Sequence, residues 1–345
     1  MNSSENTNKM NIVETINLTK QWGNIIAVDH INFEIKEGEI FGLLGPNGAG
    51  KTTTIKLLCT LLKPTEGTAK VGGYDIIEQP EMVRKCVGYV PQDITVDGRL
   101  TAKENLEFQA SLYGLKRGPE REEKIEEMLK LVELGQRADG LVDTFSGGMR
   151  RRLEIARGLL VEPLLLLLDE PSVGLDPVSR KSIWGHVKKL KKKYKNQFAI
   201  LMSTHYMEEA DRLCDRIGII DRGKIVALDT PKNLKKTIGG QMVEIDVPHA
   251  KKASKVFKEE SNSFIIKINE ISENTLAIEV NDGESAAPKI FKIAAENNIE
   301  IKNLRIREPS LEDVFIYYTG KTLRDEDTKP ISFIRGQFSR RMRSV

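Results

Sequence analysis

Apolar residues fall along this chain in short runs with two different periods. Runs rich in branched residues at 31–35 and 40–44 are bounded by glycine or charge, the pattern of strands. From Thr52 the period lengthens: Ile55, Leu58, Cys59 and Leu62 recur at i, i+3, i+4 and i+7 until Pro64 and Gly67 stop the run, which predicts a strand, a glycine-rich loop and a helix. Between 93 and 158 the pattern is helical, best marked by Ile125, Met128, Leu129 and Val132 as one stripe among Glu and Lys. Strand-like runs return at 164–168, 198–203 and 217–221, separated by helical stretches at 177–194 and 207–214. Strands alternating with helices predict a parallel sheet covered on both faces. The runs 217–221 and 224–229, joined through Arg222 and Gly223, predict a terminal hairpin, and Thr230-Pro231 opens a last helix.

Gly239 and Gly240 read as a linker. Beyond them, strands at 243–247, 264–268, 275–280 and 299–306 and helices at 250–260 and 286–297 predict a small α+β domain. The organisation expected is a polar N-terminal tail (1–12), a first α/β domain (13–238) with a helical insertion near 93–158, an accessory α+β domain (241–320) and a basic tail (321–345). In that tail Ile334, Phe338 and Met342 are spaced at i, i+4 and i+8 among Arg335, Arg340, Arg341 and Arg343, the pattern of a helix lying on anionic lipid.

Composition narrows the classes. Lys plus Arg is 53 against 50 for Asp plus Glu, and a net charge of +3 does not mark a general polyanion binder. The Leu run 164–168 falls far short of the roughly 20 apolar residues that cross a bilayer. The first ten residues lack the apolar core of a secretory signal, so the chain is expected to stay inside the cell. Three widely spaced cysteines, Cys59, Cys86 and Cys214, form no metal or disulfide framework and are expected to pack as small apolar groups.

The chemistry is concentrated in a few segments. Gly45-Pro46-Asn47-Gly48-Ala49-Gly50-Lys51-Thr52 fits G-x-x-x-x-G-K-[ST] between a predicted strand and helix. Backbone N–H groups turned inward there cradle phosphate oxygens, Lys51 reaches the β- and γ-phosphates, and Thr52 offers a hydroxyl to Mg²⁺. The apolar run ending at Asp169 places a carboxylate where it holds Mg²⁺ beside the phosphates, and Glu170 follows as the group to orient or deprotonate an attacking water.

The segment Ser146-Gly147-Gly148-Met149-Arg150, 23 residues before Asp169, resembles the signature motif of ATP-binding cassette ATPases. The resemblance covers about 13–236 and implies an α/β P-loop NTPase, an ABC cassette with a helical signature subdomain, followed by the small C-terminal α+β domain. It implies ATP and Mg²⁺ as cofactors, Trp22 stacking on adenine, and Thr53 beside Thr52 on the phosphates. It further implies Gln92 sensing Mg²⁺ and the transporter, Asp176 in the D-loop, and His205 at the γ-phosphate beside the catalytic Glu170. Metal contacts fall to Thr52, Gln92 and Asp169. In the family two cassettes pack head to tail, so that Ser146, Gly147 and Gly148 of one cover the γ-phosphate held by the other. Glu308-Pro309-Ser310-Leu311-Glu312-Asp313-Val314-Phe315 looks like the C-terminal element of daunorubicin-resistance-type ATPases. That implies an ATP-hydrolysing subunit, peripheral on the cytoplasmic side of the cell membrane, that powers export through a separate integral-membrane permease and pairs with a second copy or a paralogous cassette. Phe145 and Met149 depart from the Leu and Gln usual in the superfamily. The competing class is a soluble cassette ATPase acting on nucleic acid or ribosomes. Lys51 and Ser146 are only 95 residues apart, too close for the coiled-coil insertion of repair ATPases, and the chain carries one cassette where translation factors carry two, so no nucleic-acid partner is expected.

Overall fold

The computed structural model describes residues 10–194, 198–260 and 264–320; the basic segment 321–345, with its lipid-binding reading, lies outside them. The chain divides between Pro231 and Lys232 into two compact units.

The first unit opens with β1 (Asn11–Trp22), β2 (Ile25–Ile31), β3 (Glu34–Lys36) and β4 (Ile40–Leu44), then α1 (Lys51–Leu58), β5 (Glu66–Val71), β6 (Tyr74–Asp75), α2 (Pro80–Cys86) and β7 (Val87–Val90). The helical insertion follows as α3 (Ala102–Leu112), α4 (Pro119–Leu131) and α5 (Gly147–Leu159). The unit ends with β8 (Leu165–Asp169), α6 (Pro177–Lys193), β9 (Ala199–Thr204), α7 (Met207–Leu213), β10 (Arg216–Asp221), β11 (Lys224–Asp229) and the start of α8 (Pro231–Lys236).

The central sheet has the order β11-β10-β4-β9-β8-β7, parallel from β10 to β7 with β11 antiparallel at its edge. Every residue of β4, β8 and β9 is buried, as unbroken apolar runs require in a sheet covered on both faces. The β10–β11 hairpin turns through Arg222 and Gly223, both at positive φ.

A second, antiparallel sheet, β2-β1-β5-β6 with β3 beside β1, adds to the parallel sheet that the periodicity predicts. The run 31–35 is not one strand. Asn32 turns sideways, its Oδ1 accepting from the Asn17 amide at 2.8 Å and its Nδ2 donating to Asn17 Oδ1 at 2.9 Å, and this splits β2 from β3. Helix α1 is also shorter than its stripe: Thr60 adopts φ 60° and the Leu62 amide bonds back to the Lys56 carbonyl at 3.0 Å, closing the helix end. Ile55, Leu57 and Leu58 of α1 join Val13 and Leu18 of one sheet to Leu165 and Leu201 of the other in a single core.

The second unit continues with β12 (Gln241–Asp246), α9 (Ala250–Glu260), β13 (Ile265–Ser272), β14 (Thr275–Val280), α10 (Gly283–Glu296), β15 (Asn303–Arg307) and α11 (Leu311–Thr319). Its antiparallel sheet has the order β13-β14-β12-β15, and Val243, Ile245, Ile278 and Val280 pack on Phe257 of α9 and Ile290 of α10. Gly240 belongs to this packing: a Cβ there would lie 1.9 Å from the Val280 carbonyl oxygen, so glycine answers a close approach. No helix among the described residues is long and apolar enough to cross a membrane. All three thiols are free, with Cys59 and Cys214 buried and Cys86 half-buried.

Candidate nucleotide site

Three neighbouring parallel strands, β4, β9 and β8, end on one side of the central sheet, where ligands bind in open α/β folds. The glycine-rich loop leaves the end of β4 and enters α1. A Cβ on Gly45 would meet the Ile220 carbonyl oxygen at 2.2 Å, and one on Gly50, at φ 109°, would meet that of Ala27 at 2.4 Å, so both positions exclude a side chain. The first turn of α1 carries no acidic residue, which preserves the positive end of its dipole. Lys51, 4% exposed, folds back over the loop: its Nζ donates to the carbonyls of Gly45 at 2.8 Å and Pro46 at 2.9 Å and lies 3.1 Å from Glu170 Oε1.

Asp169 closes β8 and is fully buried. Its Oδ1 accepts from Thr52 Oγ1 at 3.1 Å and from Ser203 Oγ at 2.6 Å, while Oδ2 has no hydrogen-bond partner. Burial pushes its carboxyl above the usual range, with the Ser203 and Thr52 hydroxyls opposing. Glu170 sits at φ 47°, a left-handed conformation that costs a non-glycine residue about 1 kcal/mol. Its amide donates to Ser203 Oγ at 3.0 Å, and its Oε2 accepts from His205 Nδ1 at 3.1 Å. Burial opposes its charge, but the hydrogen bond from His205 and the Lys51 ammonium outweigh this and hold the carboxyl below the ordinary range. The loop, Lys51, Thr52, Asp169, Glu170 and His205 are thus together.

The remaining candidates lie around this cluster. Thr53 follows Thr52 on the first turn of α1 and is half-buried. Trp22, 46% exposed at the end of β1, pairs with Ile25 of β2, two residues before Ala27, which touches the loop. With the exposed Ile25 and Ile26 it offers an apolar ledge a few residues from that contact with the glycine-rich loop. Gln92 is exposed, and its carbonyl accepts from Arg151. Ser146 caps α5, its Oγ accepting from the Met149 amide at 3.3 Å. Gly147 and Gly148 lie against Leu175 and Ser179, beside the turn at Asp176. Asp176 caps α6, taking the amides of Val178 at 3.0 Å and Ser179 at 2.9 Å.

Local sequence does not mark two further buried groups. Ser203 holds both Asp169 and the Glu170 backbone, and the signal for it was pairing register: Asp169 lies opposite Ser203. Glu209, fully buried on α7, accepts from Trp184 Nε1 at 2.8 Å; beside Glu208 in an acidic helix start it carries no sequence signal.

Residues 28–173 match the family described as ABC transporter, and 230–319 match the C-terminal domain of ATP-binding proteins like DrrA1-3. The chain is 37% identical to the linearmycin resistance ATP-binding protein LnrL of Bacillus subtilis, over 91% of this chain and 100% of that protein. It belongs to the ABC transporter ATP-binding family. To the daunorubicin/doxorubicin resistance ATP-binding protein DrrA of Streptomyces peucetius this ABC protein is 35% identical, over 94% of its own length and 97% of the relative's. Among solved structures it is similar to cbiO1 of Clostridium perfringens, part of the ABC transporter complex cbiONQ (TM-score 0.60, 25% identity, 66% of this chain, 93% of that one). It is also similar to a dimeric, post-hydrolysis ATP-binding cassette bound to ADP and phosphate (TM-score 0.55, 30% identity, 63% and 98% covered). As a member of this family the chain binds ATP, and its enzymatic activity is ATP hydrolysis coupled to transport.

Proposed function

We propose that this chain is the energy-supplying subunit of an exporter of antibiotic-like drugs, seated peripherally beneath a separate integral-membrane permease. The observation that carries this reading is the similarity across both units, the C-terminal one included, to proteins named for drug resistance. Two cassettes pair head to tail, so that Ser146, Gly147 and Gly148 of one, an anion-binding helix N-terminus, face the phosphate loop of the other; the similarity to a dimeric cassette supports this.

In the composite site the 45–50 loop and Lys51 bind the phosphates, Thr52 and Thr53 adjoin them, Trp22 faces adenine and Asp176 borders the shared face. The residues present suit Mg²⁺: a buried Asp169 oxygen without a partner, the Thr52 hydroxyl beside it and the Gln92 amide are hard oxygen donors. Bound there, Mg²⁺ would neutralise charge developing on the phosphates.

Before nucleotide arrives, Lys51 and His205 keep Glu170 ionised and occupied. As Lys51 turns to the β- and γ-phosphates, Glu170 loses a cation that held its basicity down, and its carboxylate becomes a better proton acceptor. It then takes a proton from the water attacking the γ-phosphorus, while the bond to the β,γ-bridging oxygen breaks and ADP leaves. His205 holds that carboxylate in place at 3.1 Å, and in this reading it also contacts the bound γ-phosphate.

The test is purification of the tagged full chain from detergent-solubilised membranes of its own cell. Recovery of an integral-membrane protein with several spans, together with vanadate-sensitive ATPase activity, supports the exporter. Recovery with ribosomes or nucleic acid in its place contradicts it.

A further inference from the structure

One face of the signature helix grips the loop that carries Gln92. Arg151 and Glu154 stand at i and i+3 on α5, one turn beyond its Ser146 cap, and both are almost wholly buried, at 2% and 3% exposure. Arg151 Nη1 donates to the Pro91 carbonyl at 2.6 Å and Nη2 to the Gln92 carbonyl. Glu154 Oε1 accepts from the Val96 amide at 2.8 Å, the Thr95 amide at 2.5 Å and the Thr95 hydroxyl at 3.0 Å. Arg157, a further turn along, donates to the same Thr95 hydroxyl at 3.1 Å and lies 3.7 Å from Glu154 Oε1. The helix therefore presents a cation to the carbonyl side of one loop and an anion to its amide side.

Burying two charges costs free energy that an apolar pair would not. These charges bond to backbone, so they fix the path of 91–96 and leave the Gln92 side chain exposed and unbound by the clamp. Burial disfavours the charge of Arg151, and its Nε has no partner. A clamp with one donor to spare, whose grip is on main chain at 91, 92, 95 and 96 and on the Thr95 hydroxyl, transmits displacement: a shift of α5 moves the loop with it.

We propose that Arg151 and Glu154 are positioning residues that make the signature helix and the Gln92 loop one mechanical piece. Occupation of Ser146-Gly147-Gly148 by the partner subunit's nucleotide then moves Gln92 within the same subunit. This rests on the composite-site reading above.

The experiment uses the full chain carrying Glu170→Gln, to hold an ATP-bound dimer, and reads hydrogen exchange of the 91–97 peptide with and without Mg–ATP. Adding ATP to this parent should change exchange there about tenfold, the signature of a loop whose local opening has shifted. Adding Arg151→Gln should leave the dimer intact by size exclusion and abolish the response. In the chain with Glu170 restored, Arg151→Gln should lower kcat about tenfold with KM for ATP within about twofold. Arg151→Lys, which keeps the charge and donors for the carbonyls, should recover part of both. A merely structural role lowers the melting temperature but leaves the exchange response and the kcat–KM split untouched. If Arg151→Gln does not fold, Glu154→Gln, which keeps shape and one acceptor, carries the same test. A variant dimer whose 91–97 peptide answers ATP as the parent does overturns the inference. A parent that forms no dimer with ATP overturns the composite site instead.

Discussion

In the first unit Lys51 and Glu170 meet at 3.1 Å inside a cluster that leaves an Asp169 oxygen without a partner and holds Glu170 at φ 47°. In the second, Arg307 donates from Nε to Glu244 at 3.1 Å and from Nη2 to Asp313 at 2.9 Å. Asp313 also takes the amide and hydroxyl of Ser310, both at 2.7 Å, and no buried atom of Arg307, Glu244 or Asp313 lacks a partner. The same kinds of groups are closed in one place and open in the other. A closed cluster fixes the start of α11 and the sheet it follows. An open one, strained and short of one ligand, is completed by something that binds.

Substitutions that treat the clusters alike should separate them. The largest effect is expected at Glu170→Gln: the amide keeps the shape but takes no proton, so ATP still binds while turnover falls about 100-fold or more, read as phosphate release beside nucleotide retention. Near-normal turnover would move the base elsewhere. Next comes Arg307→Met, which strands the buried Asp313 carboxylate and should lower the stability of the second unit by about 3 kcal/mol in a denaturant titration. Burial opposes the charge of Asp313, but Arg307 and Ser310 hold its carboxyl below the ordinary 3.8. That contribution is complete above the unfolded value and is lost as pH falls through the folded one. The parent should therefore lose more stability than the variant on acidification below about pH 4, and equal losses would detach the pair from the stability of this unit. The smallest effect is expected at Trp22→Ala, weakening ATP binding by roughly tenfold or less through loss of one aromatic face, with Trp22→Phe retaining most of it. An unchanged Kd would free Trp22 from adenine.

The two regions also differ in how legible they were. The chemistry proposed for the first unit lies in contiguous segments, 45–52 and 169–170, because a phosphate loop must be one loop and a strand end delivers adjacent carboxylates, so local sequence names these candidates. What local sequence does not carry is pairing. Ser203 meets Asp169 only because β8 and β9 lie in register, and Arg151 meets the 91–92 carbonyls across about 60 residues of chain. The antiparallel sheet escaped for a related reason. β1 carries exposed Ile16 and Trp22 among its buried positions and β2 carries exposed Ile25 and Ile26, which blurs the alternation that marks half-buried strands. In the second unit α9 and β14 fall on the residues that periodicity names, since each has one apolar face and a clean boundary. The Gly239-Gly240 pair resembled a linker because composition does not distinguish a glycine kept for freedom from one kept for the 1.9 Å a Cβ would leave it against Val280.

The proposed function requires a site shared between two copies. Lys51→Ala removes the phosphate cation from a subunit's own loop, and Ser146→Arg blocks the cap it offers its partner. In a heterodimer of the two variants, one composite site carries both lesions and the other carries none. Hydrolysis by verified heterodimers should therefore return to a substantial fraction of the parental rate, although each variant alone is inactive. Heterodimers as inactive as either variant alone would contradict the shared site.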